Sequence, residues 1–277
     1  MKISVSELKC DIDKYIAMAE QEDIVVMKDE TPVAKIVSAS TAKGLSLDTV
    51  FEDFSKLSDL EIAKLNDSVK NQYSRLSPSI NALADIVGEH GGKEQGNMAR
   101  MQRYLEILID TLQKRDDYKE EVASWDKYLF LLSTQLHDIG EAAVTGHYLK
   151  KAGELTEEEY AEIKAHTDLG ISIVQRAKAD LELGLMFQYA EVVAGSHHEK
   201  WDGTGYPQGL KADGIPLQGR LMAIVDVYSA LTAVRPHRER KTHEEAIEII
   251  KSCSGTYFDP AIVEAFLESE NEIKQAH

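Results

Sequence analysis

The stretch His197-His198-Glu199-Lys200-Trp201-Asp202-Gly203-Thr204-Gly205-Tyr206-Pro207 combines metal-ligand chemistry with a stiffened loop. Its two adjacent histidines follow an apolar, helix-like run, residues 190–194, from which both imidazoles can turn into one pocket. In the loop that follows, two glycines permit unusual backbone angles and the proline limits flexibility. Because a histidine pair is more often a structural doublet than a pair of ligands, its meaning depends on the rest of the chain.

Other imidazole and carboxylate groups recur in helical settings along the chain. His137 and Asp138 end an apolar helix, and His166 begins another one. Asp226 lies within an apolar run, where a charged group is costly unless it forms a salt bridge or binds a metal. Four helices that each deliver nitrogen or oxygen ligands inward predict a metal site inside a helical bundle.

Composition excludes several classes of protein. The 277 residues are 43% hydrophobic, which suits two domains or one large one. We find neither an apolar run that would cross a bilayer nor a signal segment, so a cytoplasmic location is the default expectation. The net charge of -17 argues against nonspecific attraction to nucleic acid or anionic membranes. Cys10 and Cys253 lie far apart, which predicts neither a disulfide framework nor a thiolate metal site.

Apolar patterning divides the chain into residues 1–41, 42–90 and 91–277. The first segment is predicted as a small α+β unit of β-α-β-β order, ending in a hairpin with strands at residues 24–27 and 33–37. The second has an apolar residue every three or four positions and is predicted as a helical linker. The third follows a glycine-rich break and is predicted as an all-α bundle, so the fold is mainly α.

Residues 1–41 resemble the N-terminal half of the Phd/YefM-type antitoxins in the opening Met1–Leu8, the helix and the hairpin. The resemblance implies a unit that forms a homodimer and contacts operator DNA, with a toxin bound by a separate segment. These residues hold five lysines and no arginine against eight acidic residues, so the positive face of a DNA binder is not evident. We therefore expect dimerisation, with DNA or toxin binding as an alternative.

From about residue 90 to 270 the order of motifs resembles the HD superfamily of metal-dependent phosphohydrolases, specifically its HD-GYP branch. The matching motifs are His137-Asp138-Ile139-Gly140, the segment from Leu155 to His166, the stretch from His197 to Pro207, Asp226 to Thr232, Arg235-Pro236 and Ser254 to Pro260. The resemblance implies a phosphodiesterase that opens a cyclic dinucleotide, chiefly cyclic di-GMP, to a linear dinucleotide.

Carried over by position, the resemblance implies two divalent metal ions, iron or manganese, bridged by Asp138. The other ligands implied are His137 and Asp226 for one ion, and His166, His197 and His198 for the second. His137 and Asp138 would form the catalytic centre. The substrate-binding residues implied are Arg235, Arg238, Tyr206 and Gly205.

Three residues depart from the family's pattern. Asn97 stands where the family has a histidine ligand and offers only a neutral carbonyl oxygen. Lys93 stands where members with three metals have a glutamate. Glu141 replaces a lysine that touches the substrate phosphate, yet it follows His137 by four residues, which predicts the same helical face. We hypothesise that Glu141 supplies part of the ligation lost at Asn97.

These departures leave other functions open. One alternative is a degenerate HD-GYP domain that binds metal or nucleotide without turnover and acts as a signalling or interaction module. Another is a transcriptional or toxin-neutralising factor, through the N-terminal unit. The remaining histidines lack such a context and are predicted to lie on the surface: His90, His147, His237, His243 and His277.

Overall fold

The computed structural model describes residues 2–4, 24–28, 31–36, 77–94, 96–151, 153–180, 184–233 and 240–277. Several predictions fall outside these residues: the helix of the N-terminal unit, most of the linker, and the roles of Arg235, His237 and Arg238. The chain forms two compact units, Met1–Gln72 and Tyr73–His277. Within the described residues, no helix is both long and apolar enough to cross a membrane.

Three short strands of the first unit form one sheet. Strand β1 (Lys2–Ser4) pairs in parallel with β2 (Ile24–Lys28), and β2 pairs antiparallel with β3 (Thr31–Ile36). Pro32 lies on β3, an edge strand, which is where a sheet tolerates a residue without an N–H. The strands overlap the predicted ones, and the α+β character of the whole unit stays a prediction because the intervening helix is outside the described residues.

The described part of the second unit is built from helices, as predicted. Helix α1 comprises residues 77–90, and the next helices are α2 (Asn97–Leu112), α3 (Lys119–Ala123), α4 (Lys127–Ser133), α5 (Gly146–Leu149) and α6 (Glu157–Lys164). They are followed by α7 (His166–Asp180), α8 (Gly184–Ser196), α9 (Leu217–Thr232), α10 (His243–Ser252), α11 (Pro260–Glu268) and α12 (Glu270–Gln275). Short 3-10 segments cover Thr134–Leu136, Ile139–Ala143 and Ala212–Gly214.

Local sequence fixes several helix starts. Thr156 caps α6 and Thr242 caps α10, each in a reciprocal capping box with the glutamate three residues later. Asp126 accepts a hydrogen bond from the Leu129 N–H at the start of α4. These side chains satisfy amide groups that the first helical turn leaves without partners, so the helices begin at defined residues.

The core of this unit surrounds helix α9, which packs against α2, α8 and α10. Its residues 221–225 are all buried, which explains their unbroken apolar character. Tyr228 on α9 meets Tyr104 on α2 edge-to-face, with ring centroids 5.1 Å apart. The central position of α9 also brings Asp226, two residues before Tyr228, to His137 and Asp138.

Helix α1 belongs to the second unit. Val87 joins the core, Ala84 is buried, and the Gln135 side chain donates a hydrogen bond to Asn81. The glycine-rich segment after α1 is therefore a turn inside the unit. The domain boundary that we predicted at residue 90 is placed too late, because α1 covers the bundle and is not part of a linker.

Candidate metal centre

Four histidines and two carboxylates meet where the turn after α4, the start of α7, the end of α8 and the middle of α9 come together. The residues are His137, Asp138, His166, His197, His198 and Asp226. All six are ligands predicted from the sequence, and the structure brings them together. The four elements reach this point because α7 packs on both α8 and the 3-10 segment Ile139–Ala143.

Three of these histidines are oriented by the same kind of hydrogen bond. The Nδ1 atom of His137 lies 2.9 Å from the Thr134 carbonyl, that of His166 lies 2.7 Å from the Ile163 carbonyl, and that of His197 lies 2.9 Å from the Val193 carbonyl. A carbonyl only accepts, so each Nδ1 is the donor and each Nε2 of the neutral ring offers a lone pair. Backbone partners of this kind orient metal-binding histidines.

The three Nε2 atoms converge on Asp138. Nε2 of His137 lies 2.7 Å from Oδ2, while the Nε2 atoms of His166 and His197 lie 3.4 Å and 3.3 Å from Oδ1. The last two nitrogens are 3.4 Å apart. With the ring protons on Nδ1, these atoms are acceptors that face acceptors, which is unfavourable unless an added proton or a metal cation lies among them. The donor set therefore fits a divalent metal.

The ligand atoms form two groups that share Asp138. One group contains Asp138, His166, His197 and His198, and the other contains His137, Asp138 and Asp226, with the ligand atoms of each group within 4.8 Å of one another. Nitrogen and oxygen donors without thiolate suit iron or manganese. The shared carboxylate is therefore placed between two potential cation positions.

Burial and neighbouring charges set the protonation of the centre. Burial raises the pKa of the Asp138 carboxyl, but His137 and Lys93 beside it hold that pKa well below its usual value. Burial and the adjacent His197 hold the pKa of His198 well below that of a free imidazole. The centre therefore offers an ionised carboxylate together with a neutral His198, which are the forms that bind metals.

Lys93 reaches into the centre from the turn after α1. Its Nζ atom contacts Oδ2 of Asp138 and lies 3.4 Å from Oε1 of Glu141. Burial lowers the pKa of Lys93, but Asp138, Glu141 and Asp226 together outweigh burial and raise that pKa above its ordinary value. The sequence shows Lys93 only as a replacement for a glutamate and does not predict that it is a buried cation of the centre.

The structure does not place Asn97 and Glu141 as ligands. Asn97 accepts a hydrogen bond of 2.6 Å from Ser229 and donates one to Met101, so both ends of its amide are engaged in the core. Glu141 belongs to neither donor group, and its Oε2 is buried without a hydrogen-bond partner among the described residues. The α-helix ends at Ser133, and Glu141 lies in a later 3-10 segment, so the four-residue spacing from His137 does not give a shared helical face.

The model of the HD-domain family matches residues 81–262. The chain belongs to the HD-domain family. A probable cyclic di-GMP phosphodiesterase of Vibrio cholerae serotype O1 is 36% identical over 214 residues, covering 74% of this chain and 48% of that protein. A cyclic di-GMP phosphodiesterase of Thermotoga maritima is 40% identical over 142 residues, covering 51% of this chain and 37% of that protein.

A third relative, the 3'3'-cGAMP-specific phosphodiesterase 2 of Vibrio cholerae serotype O1, is 39% identical over 140 residues, covering 50% of this chain and 26% of that protein. The chain spans less than half the length of each of these relatives. The expected membership of the HD superfamily is confirmed. The likeness of residues 1–41 to antitoxins stays a prediction.

In this HD domain the loop after His198 is fixed by a buried acid. Glu199 is 2% exposed and its carboxylate accepts hydrogen bonds from the backbone N–H groups of Gln208, at 2.7 Å, and Leu210, at 2.9 Å. A Cβ atom on Gly205 would lie 2.3 Å from the Lys200 nitrogen, so only glycine lets the loop fold back this closely. The role of Glu199 was missed, although an acid beside two histidines in a glycine-rich loop was a visible signal.

Aromatic rings and ammonium groups lie beside the histidine-rich half of the HD domain's centre. The Tyr206 ring lies 4.8 Å from the His198 ring, centroid to centroid, at an interplanar angle of 30°. Nζ of Lys164 lies 5.0 Å from the centroid of Tyr160 and 6.0 Å from that of Tyr206. This edge offers flat faces and positive charge next to the donor atoms.

The motif at residues 254–260 is hydrogen-bonded to the loop that follows His198. Asp259 accepts a hydrogen bond of 2.7 Å from Arg220, whose guanidinium also bonds Tyr118 at 2.9 Å. The N–H groups of Trp201 and Asp202 donate to the carbonyls of Tyr257 and Thr256. Arg220, a charged residue within an apolar helix, was not singled out from the sequence, yet it joins α9 to this motif.

Most of the other described histidines have structural partners. His243 is 9% exposed and its Nδ1 lies 2.8 Å from the Tyr228 hydroxyl, so the prediction of a surface position is wrong for it. His277 and His147 are exposed, as predicted, and the His277 ring contacts the Tyr104 hydroxyl at 2.7 Å. His90 is half-buried and contacts the Val144 carbonyl.

Proposed function

We propose that this HD domain is a metal-dependent phosphodiesterase that opens a cyclic dinucleotide, chiefly cyclic di-GMP, to a linear dinucleotide. The observation that carries the proposal is the convergence of three histidine Nε2 atoms on the buried carboxylate of Asp138. Relatives named for this class of reaction support it. A divalent metal held here supplies a Lewis acid for the phosphodiester and activates water for attack.

The protein's own groups hold and shape this centre. Asp138, His166, His197 and His198 are proposed as metal ligands, and the donor set supports iron or manganese as the metal. Oxygen and imidazole ligands from rigid helix ends fix the geometry before the substrate arrives. His137 and Asp138 are proposed as catalytic residues. Binding of the expected second ion on the His137 side depends on Lys93, whose ammonium contacts the same Asp138 carboxylate.

The edge beside His198 suits a cyclic dinucleotide. Such a substrate carries flat bases and two negative phosphodiesters, and base stacking on aromatic rings is favourable and tolerant of base identity. Tyr206 and Tyr160 offer the rings, and Lys164 offers a cation beside them. Because the net charge of the chain is -17, an anionic substrate requires such local cations. Arg235 and Arg238 are proposed as further phosphate contacts, with Gly205 shaping the loop.

The experiment is a turnover assay on the full chain. Protein loaded anaerobically with iron or manganese is incubated with cyclic di-GMP or 3'3'-cGAMP, and the linear product is quantified by chromatography. We expect product from the native chain and a loss of roughly a hundredfold or more in His137→Ala and His198→Ala, because each removes a donor of the centre.

The matched control is His147→Ala, which removes an exposed histidine that belongs to neither donor group and is expected to keep native activity. Nucleotide binding without linear product would contradict the enzyme and favour the signalling module.

We further propose that residues 1–41 form a homodimer. The support is their size, because a sheet of three short strands needs additional cover for its apolar face. DNA or toxin binding is a second role of this unit that the resemblance to antitoxins suggests. A cytoplasmic location accompanies the proposed activity on an intracellular type of messenger.

A further inference from the structure

We propose that the Lys93 ammonium takes the place of a metal ion on the His137–Asp226 side of the centre. The chain then binds a single divalent ion, held by Asp138, His166, His197 and His198. The inference concerns the number of ions and does not depend on which substrate is cleaved. It replaces the expectation of two ions drawn from the sequence.

The two carboxylate oxygens of Asp138 face different partners. Oδ1 faces the Nε2 atoms of His166 and His197, at 3.4 Å and 3.3 Å. Oδ2 faces Nε2 of His137, at 2.7 Å, and the same oxygen is in contact with the Lys93 ammonium. An ion bound to His137 and Oδ2 would need bonds of about 2.0–2.2 Å to each. It would therefore share this oxygen with a fixed positive charge, which repels it.

The charge around Lys93 also favours a single divalent ion. The Lys93 side chain is only 14% exposed, and a buried ammonium is retained where carboxylates surround it. Its neighbours are Asp138, Glu141 and Asp226. The ammonium already offsets part of the negative charge of these carboxylates, so the charge that remains suits one divalent cation better than two. A second divalent ion would leave the buried centre strongly positive.

Backbone hydrogen bonds hold Lys93 in position. The turn after α1 is closed by hydrogen bonds from Gly91 N–H to the Val87 carbonyl and from Lys93 N–H to the Gly88 carbonyl. A Cβ atom on Gly91 would lie 2.5 Å from Oε2 of Glu141, so this glycine makes room for the carboxylate that flanks Lys93. The turn and the Glu141 carboxylate therefore both hold the Lys93 side chain in place, and Glu141 is a positioning residue for Lys93.

The His137–Asp226 side of the centre also offers fewer ligands than the other side. The His137, Asp138 and Asp226 group has three members, whereas the other group has four. The nearby carbonyl oxygen of Asn97 is taken by Ser229. Without the lysine, these three donors would face a vacant position that a cation stabilises.

The test measures metal content in the native full chain and in three variants of it. Each protein is loaded anaerobically with Mn²⁺, freed of excess metal and analysed by mass spectrometry. We expect about one ion per chain in the native protein and about two in Lys93→Met. Adding Asp226→Asn to Lys93→Met should return the count to about one, because a ligand of the second ion is lost. Lys150→Met is the matched control and should keep about one ion, since Lys150 lies exposed beside the same turn.

An independent readout is the electron paramagnetic resonance spectrum of the bound Mn²⁺. The native chain should give the signal of an isolated ion, and Lys93→Met should give the exchange-coupled signal of a pair. Two ions in the native chain, or a folded Lys93→Met variant that still binds one, would overturn the proposal. Neither measurement uses turnover. A chain without linear product but with one bound ion would contradict the proposed function alone, and a chain with two bound ions would contradict this inference alone.

Discussion

Asp138 is the residue on which the charges of the centre meet. Its carboxylate faces three imidazoles and one ammonium. Burial raises the pKa of this carboxyl, but His137 and Lys93 hold it well below its usual value. The histidines and carboxylates that meet here were predictable one by one, because an imidazole or carboxylate in or next to an apolar helix is a local signal. The roles of Lys93 and Glu141 were not, because they depend on a turn and a 3-10 segment that the residue pattern does not distinguish from continuous helix.

Glu141 gives a prediction at this scale. In Glu141→Gln we expect an unchanged number of metal ions and a change in metal affinity of no more than about tenfold, because the carboxylate acts through Lys93 and does not bind the ion. Titration with Mn²⁺ in a calorimeter measures both quantities. His198→Ala serves as the reference for a direct ligand and should lose far more affinity. A Glu141→Gln variant that behaved like His198→Ala would restore Glu141 as a ligand.

At the scale of elements, the turn that carries Asp138 is joined to helix α7 by direct backbone approach. A Cβ atom on Gly140 would lie 1.9 Å from the His166 carbonyl oxygen and 2.6 Å from the Gly170 nitrogen. The glycine in the motif His137-Asp138-Ile139-Gly140 is therefore a packing requirement, which sets the separation between Asp138 and His166.

Gly140→Ala is expected to force these two elements apart. We predict a loss of about 1–3 kcal/mol in the free energy of unfolding, as for other overpacked contacts, together with weaker metal binding. Chemical denaturation and metal titration measure the two effects. Gly214→Ala is the control, because no atom lies within 4 Å of the position of its Cβ, and it should match the native chain. Equal stability of the two variants would contradict the role assigned to Gly140.

Element positions in the second unit were largely predictable from the sequence. The helices that carry His166, the His197–His198 pair and Asp226 appear where the apolar runs predict them. The boundary predicted at residue 90 is misplaced because Gly91 and Gly92 form a turn inside the unit, which the residue pattern does not distinguish from the end of a linker. Only the packing of Val87 and Ala84 against the bundle shows that α1 is part of the HD domain.

At the scale of the molecule, the chain combines an HD domain with a separate N-terminal unit. The relatives match 140 to 214 residues of the chain and are at least twice as long as the stretch that matches. Composition predicted a globular protein that requires local cations for an anionic substrate. It did not predict that a lysine would provide a cation inside the metal centre, because net charge carries no information on placement.

Deletion of residues 1–41 tests the organisation of the whole chain. We expect the native protein to be a dimer and the shortened protein to be a monomer with unchanged metal content, because the small sheet is proposed to complete its core against a second copy. Light scattering coupled to size-exclusion chromatography measures the mass, and circular dichroism checks the helices. A shortened protein that remained dimeric would assign the contact to the rest of the chain.

The Nδ1 bonds of His137, His166 and His197 each run to a carbonyl three or four residues earlier in the sequence. The direction of each imidazole is thus encoded within its own turn of chain and needs no side chain from another helix. Such a helix end is a portable part for protein design. Grafted onto another helical scaffold, it should deliver an imidazole in the same orientation, whatever residues cover the outer face of the new bundle.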